Sequence, residues 1–314
     1  MNGVLNLNKP PGKSSHDMVY FARRLFGTKK VGHTGTLDPI ATGVLPILVG
    51  NATKLSELLS AHDKSYRAVL KLGVMSDTMD ITGKITEVTD VLPGLEDVKE
   101  AARGFVGDIW QTPPVYSAIK QNGKKLYEYA REGIQVNPEP RAVTVYAISC
   151  EEGDNPGEYV LDIECSKGTY IRSICHDIGE KLMCGGVMAA LCRTRSGDFC
   201  ISNAHSPEYL EEYRAGGGDL GALLLSTEDV LKSVAAKKMT LDPFFSKLAK
   251  NGAEIYVHKI RAEEPENFCV GDRVLMYDCE NALFALGEIK DFEAGQACKP
   301  VIFVNAECEM RNAK

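Results

Sequence analysis

The chain opens on an alternating stretch, Val4-Leu5-Asn6-Leu7, which predicts a strand, and Lys9-Pro10-Pro11-Gly12 must end it. The period then changes. Met18, Val19, Ala22, Leu25 and Phe26 recur at helical spacing, Ser14 and Asp17 supply a capping box before them, and Gly27 supplies a stop. Residues 29–39 show neither period and read as a loop. Residues 44–48 return to the sheet, and residues 53–60 predict a short helix. Tyr66, Ala68, Leu70 and Leu72 share one face of a further strand, with Arg67, Val69 and Lys71 on the other. Residues 77–83 form an acidic, turn-rich loop and residues 95–106 a helix. Residues 111–116 must be extended, because Pro113-Pro114 excludes a helix there.

Residues 120–132 carry Lys120, Lys124, Lys125 and Arg131 with Tyr127 and Tyr129, a polar excursion that reads equally as an RNA-contacting arm or a solvated helix. Tyr159, Leu161, Ile163 and Cys165 alternate on another strand. It runs through Ser166-Lys167-Gly168-Thr169-Tyr170 into a helix with a buried stripe of Ile171, Ile174, Cys175, Ile178 and Leu182, which leaves Arg172 off the stripe. Gly216-Gly217-Gly218 marks a flexible loop. From about Met239, a short helix and short strands divided by Gly252, Gly271, Gly287 and Gly295 suit a small β-barrel.

With 314 residues, 44% hydrophobic and 25% charged, the chain has a globular composition that excludes disorder, collagen and coiled coil and suits one large domain plus a small one. No apolar run is long enough to span a bilayer, and the N-terminus lacks a signal-peptide pattern, so a cytoplasmic protein without membrane contact is expected. The ten cysteines include no Cys-x-x-Cys pair and no histidine at a zinc-finger offset, so free thiols are expected and no metal. A net charge of −7 argues against a nucleic-acid partner, yet its distribution reverses the argument. Residues 1–73 hold ten Lys/Arg against four Asp/Glu, a balance of +6, while the rest of the chain carries −13.

Four side chains have bland readings when taken alone. Asp38-Pro39 is a turn, Tyr66 a core aromatic, Arg172 a helix-surface charge and His33 a loop histidine. The full run Gly32-His33-Thr34-Gly35-Thr36-Leu37-Asp38-Pro39-Ile40-Ala41-Thr42-Gly43-Val44-Leu45-Pro46 strongly resembles the catalytic motif of the TruB-type tRNA pseudouridine-55 synthases. Asn8-Lys9-Pro10-Pro11-Gly12-Lys13-Ser14-Ser15 is similar to that family's opening motif, Asp63-Lys64-Ser65-Tyr66-Arg67-Ala68 to its tyrosine motif, and Ser76-Asp77-Thr78-Met79-Asp80 to its acidic loop. Residues 111–120 and 165–172 match later segments in the right order. Ile40 stands where leucine is usual, and Leu191-Cys192-Arg193 where the family has Leu-Arg-Arg.

The resemblance implies an α/β fold: a mixed, largely antiparallel sheet with flanking helices, plus a small C-terminal PUA-like β-barrel. It implies a catalytic domain over residues 1–238, with an RNA-contacting arm around residues 117–135, and a PUA-like RNA-binding domain over residues 239–314. That second segment carries nine basic against thirteen acidic residues, a charge of −4, so any RNA contact there is local. The family's catalytic aspartate falls on Asp38, its active-site tyrosine on Tyr66 and its arginine on Arg172. The substrate-binding set falls on His33, Tyr170, Leu191, Lys9 and Asp80.

The implied reaction turns one uridine of the tRNA T-loop out of its stack. It then breaks the bond from C1′ to N1 and joins C1′ to C5. Nothing is oxidised or hydrolysed overall, so no cofactor is expected. The residue types fit this chemistry. An ionised carboxylate can act as nucleophile or stabilise a cationic sugar, a guanidinium keeps it charged and oriented, and a tyrosine stacks on uracil and can carry a proton. Attack at C6, attack at C1′ and a glycal route are all compatible with them. A monomer acting on the T-arm without an obligatory protein partner is expected. Two rivals are a non-catalytic tRNA-binding or tRNA-folding protein, and a synthase for ribosomal or guide-directed RNA.

Overall fold

The computed structural model describes residues 1–121, 123–260 and 267–304. Strand β1 (Gly3–Lys9) leads to helix α1 (Ser15–Phe26), and the expected caps form. The Asp17 N–H donates to Ser14 Oγ at 3.1 Å, the Ser14 N–H donates to the Asp17 carboxylate at 2.7 Å, and Gly27 ends the helix at φ +62°. Within the stretch expected as loop lies a short strand, β2 (Val31–His33), paired antiparallel with β3 (Thr42–Val49). Backbone pairing makes β2, which has no side-chain alternation to announce it. A 3₁₀ turn (Gly50–Leu55) and α2 (Ser56–Ser60) replace the single helix expected over residues 53–60.

Strand β4 (Lys64–Leu72) buries Tyr66, Ala68, Leu70 and Leu72 as read. The hairpin β5 (Val74–Ser76) and β6 (Ile85–Glu87) brackets the acidic loop. Helix α3 (Leu95–Arg103) stops short of residue 106, because the chain turns at Gly104. After β7 (Gly107–Gln111), the polar excursion is a hairpin, β8 (Lys120–Gln121) and β9 (Lys124–Lys125), with α4 (Leu126–Arg131). Residue 122 of the expected arm lies outside the described residues. Then come β10 (Arg141–Glu152), β11 (Glu158–Cys165), α5 (Ile171–Lys181), β12 (Gly186–Ser196), β13 (Phe199–Cys200), α6 (Pro207–Ala215) and α7 (Thr227–Val234).

The large sheet has nine strands in the order β1-β3-β12-β4-β11-β10-β7, with β2 on β3 and β13 on β12. Among the described pairings in it, only β12 with β3 is parallel. Helices α1, α3 and α5 cover one face through a core that joins Met18, Val19, Val98, Ile174 and Ile178 to Leu5, Leu45, Leu70 and Leu161. The expected fold class holds: a mixed, largely antiparallel sheet with flanking helices.

A second sheet follows, built from β14 (Lys237–Thr240), β15 (Ile255–Tyr256), β16 (Arg273–Tyr277), β17 (Leu283–Phe292) and β18 (Gly295–Phe303), with α8 (Pro243–Lys250) beside it. This is the small C-terminal PUA-like unit. Residue 238 falls inside β14, and residues 261–266 and 305–314 of the expected second domain lie outside the described residues. The two sheets share an apolar cluster in which Leu275, Leu283 and Leu286 pack with Val4, Val44 and Leu48 of the large sheet. No helix among the described residues is long and apolar enough to cross a membrane.

Candidate active site

Residues 34–41 connect β2 to β3 as a loop pinned from below. Ser15 Oγ donates to the Leu37 carbonyl at 3.1 Å and accepts from the Leu37 N–H at 2.7 Å, and the Gly12 N–H donates to the Pro39 carbonyl at 2.8 Å. Lys9 is fully buried at the end of β1, and its ammonium donates to the carbonyls of Pro10 (2.9 Å), Lys13 (2.6 Å) and Pro39 (3.3 Å). Burial pushes its pKa down to about 8. Lys9 therefore faces the loop's backbone and not solvent. Lys64 is buried likewise, so two of the ten N-terminal cations stand beneath the surface they were expected to charge.

Asp38 projects from this loop toward the start of α5. Its carboxylate lies 3.0 Å from Arg172 Nε, with a second contact of 3.4 Å to Nη2. About a third of the Asp38 side chain, 35%, stays open, while Arg172 is only 5% exposed. Arg172 does sit off the apolar stripe, yet it is not a surface charge. It donates to the carbonyls of Thr78 (3.2 Å) and Tyr116 (2.9 Å), and Asp80 stands 3.8 Å away on its far side. Asp80 is held by its own loop, accepting from Thr78 Oγ1, the Thr82 N–H and Thr82 Oγ1. Burial pushes the Asp38 carboxyl above the usual range; Arg172 opposes that shift and Asp80 adds to it.

Tyr66 lies on β4 with its phenol buried, and that burial raises its pKa against the opposing charge of Arg193. Tyr170 caps α5, and Leu191 lies on β12 opposite Ala68. His33 ends β2 and accepts the Gly35 N–H on Nδ1 at 3.2 Å, and burial pushes its pKa down.

The structure thus brings Asp38, Arg172 and Asp80 into one charged chain. His33 stands at the near end of the Asp38 loop, and Lys9 supports that loop from beneath. Two residues escaped the sequence reading as individuals. Gln111 exchanges two hydrogen bonds with the Tyr170 backbone, and Arg193 donates to Val44 and Gly35 from inside the core. Neither has a local signal, since each partner is a backbone group far away in sequence. Among the described residues no group of His, Cys, Asp and Glu is arranged to hold a metal ion.

The fold matches that of a Cbf5-Nop10-Gar1 complex, with a TM-score of 0.71 at 26% identity, covering 96% of this chain and 85% of that one. Likeness in fold points to a class, and the family profiles name it as that of the pseudouridylate synthases. A profile described as "TruB family pseudouridylate synthase (N terminal domain)" matches residues 23–171, and one described as "tRNA pseudouridylate synthase B C-terminal domain" matches residues 172–232. A tRNA pseudouridine synthase B of Alkaliphilus oremlandii is 42% identical over 298 residues, 94% of this chain and 96% of that one. One of Heliobacterium modesticaldum is 50% identical over 216 residues, 68% of this chain and 70% of that one. The chain belongs to the TruB family of pseudouridylate synthases.

Proposed function

We propose that the chain isomerises the uridine at position 55 of the tRNA T-loop to pseudouridine, with Asp38 as the reacting carboxylate. The observation that carries this reading is the partly open Asp38 carboxylate, 3.0 Å from a buried guanidinium at the mouth of a family-specific loop. The names of the relatives support tRNA as substrate.

In this reading the target base leaves its stack at a cost of about a few kcal/mol. His33, whose Nδ1 is occupied by the Gly35 N–H, takes part in refilling the gap. Tyr66 stacks on the uracil, and Tyr170 and Leu191 form the walls around it. Arg172 keeps Asp38 ionised despite its burial, and Asp80 keeps Arg172 in place. Lys9 acts through the loop it supports. The bond from C1′ to N1 breaks, the base turns, C1′ joins C5, the proton of C5 leaves and N1 gains one, so the balance closes without a cofactor.

Residues 1–238 carry the chemistry, the arm around residues 117–135 contacts the RNA, and residues 239–314 hold more distant parts of the tRNA. The enzyme works as a monomer in the cytoplasm, with the T-arm as its partner and no obligatory protein partner. The test is incubation with unmodified tRNA and mapping of pseudouridine by position. Conversion confined to uridine 55 is expected, and absent from the Asp38→Asn protein. Tight tRNA binding without conversion would favour the rival RNA-binding protein, and conversion at another position would overturn the assigned substrate.

A further inference from the structure

Among the described residues, Arg193 is the largest fully buried side chain, 1% exposed, and no carboxylate among them pairs with it. A buried guanidinium with only neutral partners is costly to fold, and a core leucine would avoid the cost. Its contacts show what it holds. Nε donates to the Val44 carbonyl at 2.7 Å and Nη2 to the Gly35 carbonyl at 3.3 Å. These two acceptors flank Asp38, three residues before it and six after.

The backbone of Arg193 closes on the same loop. Its parallel neighbour on β3 is Gly43, at φ +100°, where a Cβ would lie 2.3 Å from the Arg193 carbonyl oxygen. One residue therefore meets both ends of the loop that carries Asp38. Its antiparallel neighbour on β4 is Tyr66, whose phenol lies beside the guanidinium. A guanidinium has donors only, so a phenol facing it offers oxygen lone pairs and turns its own O–H elsewhere.

We propose that Arg193 is a positioning residue for the isomerisation, locking the Asp38 loop and the Tyr66 phenol into one geometry. The inference rests on the roles of Asp38 and Tyr66 given above. It assigns Arg193 no contact with RNA. A lysine cannot take its place, because one ammonium on a flexible stem does not span three fixed directions.

The test uses the full-length protein with Arg193→Met and Arg193→Lys. Single-turnover conversion of bound tRNA is expected to fall about thirtyfold or more in both, with the dissociation constant for tRNA within about threefold. A second measurement needs no activity: a fluorinated tyrosine of lowered intrinsic pKa, placed at position 66, is titrated by its fluorine resonance. Loss of the guanidinium removes a charge that favours the phenolate, so the midpoint is expected to move to higher pH in Arg193→Met. A folded Arg193→Met protein with an undiminished single-turnover rate overturns the proposal, and so does an unmoved midpoint at position 66. If Arg193→Met does not fold, Arg193→Lys decides: a wild-type rate there sinks the geometric claim. Asp38→Asn run alongside separates the two layers, since turnover by that variant would overturn the catalytic reading itself.

Discussion

Gln111 and Tyr170 stand 59 positions apart in sequence and exchange two hydrogen bonds: the Tyr170 N–H donates to Gln111 Oε1 at 2.7 Å, and Gln111 Nε2 donates to the Tyr170 carbonyl at 2.9 Å. The amide imitates a strand neighbour. It fixes the residue that caps α5, two positions before Arg172, and Gln111 is 2% exposed, so water cannot substitute for it. Gln111→Glu keeps the shape but sets a carboxylate oxygen against the Tyr170 carbonyl. We expect about 1–3 kcal/mol of lost stability and a single-turnover rate lower by about tenfold or more. Lowering the pH protonates the new carboxyl and restores the donor, so the deficit relative to wild type shrinks toward acid. A deficit that grows toward acid would contradict this account, and thermal melts with rate measurements at several pH values check it.

Asp38→Asn preserves size and removes the charge. Isomerisation is expected to disappear while tRNA binding stays within about tenfold, about 1.4 kcal/mol. Single-turnover assays and a filter-binding titration, on protein verified free of deamidation, measure the two effects separately.

With Asp38 in the proposed role, the acid limb of the rate profile is expected to report its carboxyl. Burial raises its pKa, so the limb is expected above the ordinary carboxylate range, with activity lost as pH falls through it. Asp80→Asn removes a neighbouring negative charge that adds to the rise, so the limb moves to lower pH. The plateau falls as well, because Arg172 loses the carboxylate 3.8 Å away on its far side. A limb that moves upward in Asp80→Asn would show that Asp80 acts on some other group.

Leu286 tests the link between the two sheets. It is buried in the apolar cluster shared with Val44 and Leu48, on the strand that follows the Asp38 loop. Leu286→Ala is expected to cost about 2–5 kcal/mol of stability in denaturant titrations, with the rate of the surviving folded protein near normal. It follows that a cut at residue 238 does not yield two clean parts. It strips Leu275, Leu283 and Leu286 from a core that the catalytic sheet depends on.

What the sequence revealed was local. The Ser14–Asp17 cap, the Gly27 stop and the face of Tyr66, Ala68, Leu70 and Leu72 depend on neighbours in the chain, and each formed as read. Asp38 stood out because its loop is a long contiguous motif. Strand β12 was invisible, although it lies near the middle of the large sheet. Register shifts between Met188 and Ala190 and between Arg193 and Arg195 break the alternation that would have marked it. Arg193 was hidden for the same reason, and because its acceptors are carbonyls 149 and 158 positions away. Lys9 counted as surface charge because a lysine carries no sequence mark of burial.

The short parallel pairing, Cys192 with Thr42 and Arg193 with Gly43, joins segments about 150 residues apart. Such contacts are slow to form, because loop closure must precede any gain from packing. On a ribosome, the Asp38 loop and Tyr66 emerge long before β12 does. A nascent chain ending at residue 185 holds Asp38, Tyr66 and Arg172 but lacks the Arg193 contacts to Val44 and Gly35. The last constraint on the Asp38 loop therefore arrives only when β12 is made, more than a hundred residues after the loop itself.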